Sequence, residues 1–391
     1  MSSFSFSRTD TSLLARWLWT IDRPLLISFA VLMAIGLVLV AAASPPVAER
    51  IGVGSYHFLF RHFIFLVPTC FALLAVSFLP ARWVWRLAAV TLAGTMVALT
   101  LVLMVGDEIK GAQRWLHVAG FSLQPSEFVK PSFAVVAAWL IAYQKAHENF
   151  PANLICAGLF FLIVALLMLQ PDLGMTLVVT AILAVQIFLA GLPFRYLLIF
   201  GLAGLSFLAF AYSTFGHVQS RIDRFLDPAS GDTYQIDKSL EAFRQGGVMG
   251  VGPGQGDVKL SLPDAHADFI FSVGGEELGL WFSLCLLILY FYIVRRGLRV
   301  LGQSKCLFTV LAGGGLIVMI GLQAFIHMGS ALQLLPTKGM TLPFISYGGS
   351  SMLSTGLGMG MLLALLRRQD QSVLSNVPSG RNDTLQPKLQ S

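Results

Sequence analysis

Charged residues are scarce in this chain. Only 12% of its 391 residues are Asp, Glu, Lys or Arg, whereas 56% are hydrophobic. A soluble protein of this length carries about twice that charged fraction, so a soluble globular fold is excluded. Cysteine is scarce as well, and Cys70, Cys156, Cys285 and Cys306 all lie in or beside apolar segments. They show neither a disulfide framework nor the spacing of a metal site, and we interpret them as packing residues.

Long apolar runs are what the chain has instead. Runs of about 18 to 25 residues recur along the whole sequence and predict an all-α polytopic membrane protein with about ten transmembrane helices. The spans are expected at about 24–43, 58–79, 84–104, a fourth opening at 124–130, 152–169, a sixth ending near 192, 196–214, an eighth from 269 to just before 295, 306–329 and 350–366.

The basic residues predict the orientation of the chain. Its net charge of +6 is concentrated at helix ends, and Arg82, Arg86, Arg195 and the groups at 295–305 and 367–368 fall on one membrane face. Because basic loops stay in the cytoplasm, both termini are predicted to be cytoplasmic. The chain is expected to begin with a cytoplasmic N-terminal tail (1–22), followed by a ten-helix transmembrane domain (23–368) with a large extracytoplasmic loop (215–268) between helices 7 and 8. A disordered cytoplasmic C-terminal tail (369–391) is expected to end it.

Polar residues that composition does not explain gather in the outer loops. Asp268 is the central candidate residue. It ends a polar loop directly before an apolar run that starts at Phe269. A carboxylate at this membrane boundary is expected to be partly desolvated and therefore more basic than in water. Asp is also a favoured helix N-cap, and the pattern alone does not choose between a base and a cap.

Three further outer motifs carry candidate ligand groups. Glu127 and Lys130 share one face of a helix that Pro125 can start, and they form either a structural ion pair or the lining of a polar cavity. Asp172 lies at a break between two short spans, where it faces such a cavity or caps a helix. Arg114 offers a planar donor suited to phosphate or carboxylate.

The remaining candidates lie in the long loop and in the last outer loop (335–351). Arg221 in the long loop is placed to meet an anionic headgroup. In the last outer loop, Lys338 can neutralise a pyrophosphate at the membrane surface, and Ser346 and Ser350 supply hydroxyl donors.

Glycine is concentrated between residues 246 and 256. Backbone N–H groups of such a segment can bind phosphate, but its spacing matches no nucleotide-binding motif, and a flexible cover over a substrate explains it equally well. Glu276 and Glu277, about two turns inside the eighth span, are interpreted as structural or cavity-shaping residues before catalytic ones.

Together these motifs resemble the SEDS family (shape, elongation, division and sporulation). The resemblance covers about residues 20–368, and Leu335-Pro-Thr-Lys-Gly339 is more similar to the division branch than to the elongation branch. The matching stretches, in family order, are 111–115, 124–130, 170–174, 221–228, 262–279 and 335–351.

The resemblance implies a peptidoglycan glycosyltransferase that polymerises lipid II on the outer face of the bacterial inner membrane, at the division septum. It implies a class B penicillin-binding protein and other divisome proteins as partners, and no nucleic acid. The essential acidic residue of the family falls on Asp268. The family's polar cavity residues fall on Arg114, Glu127, Lys130, Asp172 and Lys338.

Two positions depart from the family pattern. Ser261 stands where members often carry an acidic residue, which puts a second carboxylate role there in doubt. His327 stands near a position where many members have Asn, and it is most simply a hydrogen-bonding substitute.

The expected mechanism assigns Asp268 as the base that removes the proton from the 4-hydroxyl of the acceptor lipid II. That oxygen attacks the anomeric carbon of the lipid-linked donor with inversion, and undecaprenyl pyrophosphate leaves. Arg114, Lys130, Arg221 and Lys338, with a divalent cation such as Mg²⁺ or Mn²⁺, would stabilise the leaving group. The alternatives are a flippase for a lipid-linked precursor and a non-catalytic divisome scaffold. The flippase is disfavoured because the polar residues lie towards one face rather than at the midplane, and no inverted repeat is visible.

Overall fold

A computed structural model describes residues 12–109, 112–118, 120–191, 234–336 and 339–367, with isolated positions between 195 and 223. The helices in these ranges are α1 (Leu13–Thr20), α2 (Arg23–Arg50), α3 (His57–Ser77), α4 (Ala81–Val105), α5 (Pro125–Ala146), α6 (Ala152–Leu169), α7 (Leu173–Leu189), α8 (Tyr234–Gly246), α9 (Val258–Ser261), α10 (Ile270–Leu301), α11 (Leu307–Ala331) and α12 (Gly349–Leu366). The strands are β1 (Asp107–Ile109), β2 (Ala112–Val118) and β3 (Phe121–Leu123).

The predicted polytopic helical architecture is confirmed. Among the described residues, α2, α3, α4, α6, α10, α11 and α12 are long and apolar enough to cross a membrane. Helix α7 is apolar but shorter, and α5, which carries Glu127 and Lys130, coincides with the expected fourth span. The expected seventh span, 196–214, lies largely outside the described residues.

Helix α2 is longer than predicted. The pair Pro45 and Pro46 predicts an end of the first span, but the helix continues through both prolines to Arg50. Each proline removes a backbone donor from the helix interior. Ser44 and Ala48 are nevertheless fully buried on either side of the pair. Tertiary packing of this turn therefore outweighs the local preference of proline.

The polar loop between α4 and α5 contains a small antiparallel sheet in the order β1-β2-β3. Trp115 on β2 pairs with Asp107 on β1, and Leu116 on β2 pairs with Leu123 on β3. From the sequence, this segment was predicted only to be a polar loop. The strands pair backbone groups that would otherwise need other partners at the membrane boundary.

Small residues let α12 approach α3 closely. A β-carbon on Gly356 would lie 2.6 Å from Thr69 Cγ2, and one on Gly360 would lie 2.8 Å from the carbonyl oxygen of Leu73. These two glycines are four residues apart and share one face of α12. Contacts of this kind drive helix association in lipid, where hydrophobic burial contributes little.

The short helix α1 was not predicted from the sequence. The Trp17 indole donates to Ser77 Oγ at 2.9 Å and stacks on Phe78 with ring centroids 4.7 Å apart. The next turn is held by the Arg296 guanidinium, which donates to Asp22 at 2.7 and 3.1 Å. The chain before the first span is therefore docked onto the bundle from Ser12 onward.

Helix α10 is interrupted at Gly279, whose φ of 75° and ψ of −168° are not helical. In an unbroken helix, the carbonyls of Glu276 and Glu277 would accept hydrogen bonds from the amides of Leu280 and Trp281. The break leaves these four backbone groups without their helical partners. Inside a bilayer such groups must be satisfied by protein.

The glycine-rich segment supplies all four partners. The hydrogen bonds are Val251 N to Glu276 O (3.0 Å), Gly252 N to Glu277 O (3.0 Å), Leu280 N to Gly247 O (3.0 Å) and Trp281 N to Val248 O (3.4 Å). The segment lies so close to α10 that a β-carbon on Gly250 would be 2.2 Å from the carbonyl oxygen of Glu277. Gly250 thus permits close packing of the segment against the broken helix.

This packing predicts a difference between two glycines of the same segment. Gly250 and Gly254 both have a φ of +79°, but a β-carbon on Gly254 would meet nothing within 4 Å. Gly254→Ala should cost only the left-handed backbone strain, about 1–2 kcal/mol. Gly250→Ala should cost about 1–3 kcal/mol more, because the methyl group overlaps the Glu277 carbonyl. Apparent melting temperatures in detergent measure the difference. Equal values for the two variants would contradict the close packing of this segment against the break in α10.

Candidate active site

Asp268 lies in a turn directly before α10. Its backbone amide donates to the carbonyl of Asp264 at 3.0 Å, and Phe269 occupies the N-cap position of α10. The carboxylate is half-buried and lies against the last outer loop, since a β-carbon on Gly339 would be 3.3 Å from Asp268 Oδ2. Asp268 is therefore one residue before the cap, at the junction of two outer segments.

Two hydrogen bonds hold the last outer loop against the turn that carries Asp268, and a third, within the loop, fixes the Ser346 hydroxyl. Ser346 Oγ donates to the carbonyl of Ala267 at 2.7 Å and accepts from Leu342 N at 2.8 Å. The amide of Tyr347 donates to the carbonyl of His266 at 2.9 Å. Ser346 thus donates to one backbone group, accepts from another and acts as a clamp between the two segments.

The predicted pair of Glu127 and Lys130 is formed deep in the bundle. Lys130 Nζ lies 2.7 Å from Glu127 Oε2, and the two residues are only 1% and 3% exposed. The same ammonium donates to Gln323 Oε1 on α11 at 2.8 Å, and Gln323 Nε2 donates to the Thr341 carbonyl at 3.0 Å. A continuous polar chain therefore runs from the ion pair to the last outer loop.

Arg114 and Asp172 meet at the break between α6 and α7. The Arg114 guanidinium donates to the carbonyls of Gln170, at 2.9 Å, and Pro171. Asp172 Oδ1 accepts from the amide of Met175 at 3.2 Å and so caps α7. The guanidinium thus satisfies carbonyls at the end of α6 that the break leaves without helical partners.

Two further contacts connect this break and the sheet to the last outer loop. A β-carbon on Gly174 would lie 3.3 Å from Met340 Sδ, so the start of α7 packs against the loop. Ser350 Oγ accepts from Gln124 N at 2.9 Å and donates to the Ser122 carbonyl at 3.4 Å. The loop is therefore in contact with the start of α7 and, through Ser350, with β3 and the residue before α5.

Glu276 and Glu277 bind the segment that precedes the Asp268 turn. Glu276 accepts from the amides of Val258 at 2.7 Å and Lys259 at 3.0 Å. Glu277 accepts from the amide of Gly254 at 3.0 Å and forms a buried ion pair with the Lys259 ammonium. These contacts agree with a structural role for both carboxylates.

Two residues of the site, Gln323 and Thr341, were not singled out from the sequence. Gln323 and Thr341 are single polar residues in apolar or proline-rich surroundings, and the only signal for Gln323 is an amide inside a span. His327 donates through Nδ1 to the carbonyl of Met340 at 2.6 Å, as a hydrogen-bonding substitute would. His266 packs between Phe58 and other aromatic rings of the outer end.

Two predicted residues, Arg221 and Lys338, lie outside the described residues. Gly339, the neighbour of Lys338 in the chain, is the residue that borders the Asp268 carboxylate. Across the described part of the chain, no three His, Cys, Asp or Glu side chains are grouped so that they could hold a metal ion.

Comparison with known proteins agrees with this arrangement. Residues 23–371 match the FtsW/RodA/SpoVE family, described as cell cycle proteins. The chain belongs to this family. A relative from Caulobacter vibrioides, named probable peptidoglycan glycosyltransferase FtsW, is 42% identical over 369 residues, which cover 94% of this chain and 95% of the relative. A relative of the same name from Geobacter metallireducens is 35% identical over 89% of this chain and 95% of its own length.

Solved structures of the FtsW/RodA/SpoVE family share the fold. A chain from a peptidoglycan synthase complex superposes with a TM-score of 0.72 at 29% identity and covers 88% of this chain and 97% of its own. The rod shape determining protein RodA of Thermus thermophilus superposes with a TM-score of 0.66 at 29% identity, over 90% of this chain and 98% of its own. The resemblance inferred from the motifs is confirmed.

The buried ion pair predicts a large effect of removing one partner. Lys130→Met leaves the Glu127 carboxylate buried without its cation and should destabilise the protein by about 3–5 kcal/mol. Adding Glu127→Gln should recover part of that loss, because the uncompensated charge is removed. The exposed pair of Lys238 and Glu241, 2.6 Å apart, gives a matched control, and Lys238→Met should change nothing measurable. Unfolding in mixed micelles measures all three variants, and a Lys130→Met variant as stable as wild type would contradict the assignment.

His266 predicts a pH dependence of stability. Burial lowers the pKa of its imidazole from 6.5 to about 4. Between these values the unfolded chain binds a proton at this position that the folded protein does not, so stability falls as the pH falls from about 6.5 to about 4. His266→Phe should flatten that part of the curve relative to wild type. Melting temperatures at pH 4 to 7 test this, and parallel curves for the two proteins would show that the imidazole is not the cause.

Proposed function

We propose that this chain is a peptidoglycan glycosyltransferase that polymerises lipid II into glycan strands during septal cell-wall synthesis. The observation that carries the proposal is the half-buried Asp268 carboxylate, which lies at the outer boundary of the bundle against the last outer loop. The names of the FtsW relatives supply the reaction class. The site supplies a base at the height where a lipid-linked sugar would lie.

The proposed reaction uses Asp268 as general base. Its carboxylate takes the proton of the acceptor 4-hydroxyl while that oxygen forms a bond to the anomeric carbon of the donor. The bond between the anomeric carbon and the pyrophosphate oxygen breaks, the anomeric centre inverts, and undecaprenyl pyrophosphate leaves with the bonding electrons. Attack and departure on opposite faces of the sugar ring need the acceptor and donor held in line.

The four basic residues that were expected to stabilise the leaving group divide into two pairs in this proposal. Arg114 donates to two backbone carbonyls, and Lys130 is 1% exposed and already bound to Glu127 and Gln323. Their described contacts favour an indirect role, in which they hold the walls of the site. Arg221 and Lys338 are then the proposed contacts of the leaving pyrophosphate.

A divalent cation, Mg²⁺ or Mn²⁺, enters the proposal only as a counter-ion that accompanies the pyrophosphate substrate. The described residues offer no cluster of three ligand side chains, so they do not form a protein-held metal site. No step is assigned to the ion for that reason.

The proposed partner is a class B penicillin-binding protein, within the larger set of divisome proteins at the septum of the bacterial inner membrane. The likeness to a chain of a peptidoglycan synthase complex that coordinates polymerization and crosslinking supports such a partner. A nucleic-acid partner is not part of the proposal, since the basic residues follow the pattern of membrane topology.

Substitution of the base is the direct test. Fluorescent lipid II is incubated with the purified chain and its cognate transpeptidase, and the glycan products are separated on a gel. Asp268→Asn and Asp268→Ala should lower polymerisation by at least about 100-fold, the range expected for loss of a general base. The control is Asp264→Asn in the same turn, where the φ of 51° is tolerated by Asn, and it should retain activity.

The outcomes separate the rival functions. Equal product from wild type and a folded Asp268→Ala variant would overturn the base assignment. No product from any variant, with scrambling of labelled lipid in vesicles, would favour the flippase. Neither product nor scrambling, with the transpeptidase still bound and active, would favour the scaffold.

A further inference from the structure

Gln323 is the one described side chain that joins the buried ion pair to the last outer loop. It lies on α11, is 1% exposed, and accepts a hydrogen bond from Lys130 Nζ at 2.8 Å. On its other side, its Nε2 donates to the carbonyl of Thr341 at 3.0 Å and to Thr341 Oγ1 at 3.3 Å. Ser351 Oγ lies 3.5 Å from the same nitrogen. A single amide therefore connects α5, α11, the loop and α12.

The orientation of this amide follows from its neighbours. The Lys130 ammonium can only donate, so the Gln323 side-chain oxygen must face it. The nitrogen is then directed at the Thr341 carbonyl, which can only accept. An amide buried in an apolar bundle is costly unless both of its ends are bonded. The contacts of Lys130 and Thr341 thus hold Gln323 in one arrangement.

The stretch of loop that Gln323 holds is the stretch that borders the base. Thr341 is two residues from Gly339, which packs against the Asp268 carboxylate. Between them, the carbonyl of Met340 is held by His327, also from α11. The far end of the loop is held separately by the Ser346 clamp to Ala267. Without the amide, the near end would keep the contact to His327 and the hydrogen bond between Thr341 Oγ1 and Ser351 Oγ (2.5 Å), but it would lose its connection to Lys130.

We propose that Gln323 is a positioning residue for the glycosyl transfer. It transmits the position of the Glu127–Lys130 pair to residues 339–341 of the last outer loop and so fixes the wall of the site opposite Asp268. The inference rests on the proposed polymerase function and deepens it, because it gives the almost fully buried Glu127–Lys130 pair a route to a reaction at the surface of the bundle.

The proposal predicts a loss in the chemical step rather than in substrate affinity. A shift of the loop changes the alignment of acceptor, donor and base, and a displacement of about 1 Å can cost about 100-fold in rate. Gln323→Met keeps the length of the side chain and removes both hydrogen bonds. We expect it to lower kcat by about 10- to 100-fold with KM for lipid II unchanged. The acidic limb of the pH–rate profile should shift, since the surroundings of Asp268 change.

A second variant separates the two ends of the amide. Gln323→Glu keeps an acceptor for Lys130, but an ionised carboxylate cannot donate to the Thr341 carbonyl. If Gln323 acts by holding the loop, this variant is as slow as Gln323→Met. Full activity of Gln323→Glu would mean that only the bond to Lys130 matters, and it would overturn the proposal.

Gln186 provides a matched control. It is also a fully buried glutamine, and its Nε2 donates to the carbonyls of Ala134 and Leu311, which lie on α5 and α11 away from the loop. Gln186→Met should lower the melting temperature about as much as Gln323→Met but leave the pH–rate profile unchanged. Equal losses of kcat in the two variants would reduce Gln323 to a packing residue and overturn the proposal.

The decisive experiment follows loop order and activity together. Full-length wild type, Gln323→Met, Gln323→Glu and Gln186→Met are each purified with the cognate transpeptidase. Hydrogen exchange of residues 339–346 is measured by mass spectrometry beside lipid II polymerisation. Faster exchange in both Gln323 variants, and not in Gln186→Met, supports the positioning role; unchanged exchange overturns it at any level of activity. An inactive wild-type complex would count against the polymerase function alone, because the exchange result stands independently.

Discussion

The Lys130 ammonium, almost fully buried in an apolar helix bundle, is the constraint on which the outer half of the structure depends. A charge in that environment must be paired and hydrogen-bonded, and Glu127 and Gln323 meet both needs. Because Gln323 then has a donor left over, it binds the Thr341 carbonyl of the last outer loop. One buried charge thus connects α5 and α11 to the loop beside Asp268.

Buried polar groups must also find hydrogen-bond partners within the protein on the other side of the site. Gly279 breaks α10, and the segment 247–252 supplies partners for the four backbone groups that the break leaves without helical hydrogen bonds. Glu276 and Glu277 then hold the chain between this segment and the turn that carries Asp268. The turn that carries Asp268 is therefore supported on one side by the segment at the break in α10 and on the other by the polar chain from Lys130.

The described geometry separates residues that line the site from residues that hold it. Arg114, Lys130 and Ser346 are polar groups that a motif-based interpretation assigns to substrate, yet their described bonds go to the protein itself. The Asp268 carboxylate is half-buried and borders the loop at Gly339. Under the proposed function, the residues that hold the loop and the turn would preorganise this carboxylate for a lipid-linked substrate.

The sequence by itself determined the helical membrane architecture and placed Asp268 at a membrane boundary. Apolar runs of that length permit only helices, since backbone groups in hydrocarbon must bond within their own segment. Only the tertiary structure decided three features: the helical course of α2 through its prolines, the sheet before α5, and the hydrogen-bond partners of Gln323. Lys130 and Gln323 are 193 positions apart in the chain, and no local pattern indicates which distant partner a buried polar group will find. Packing of the bundle makes that choice.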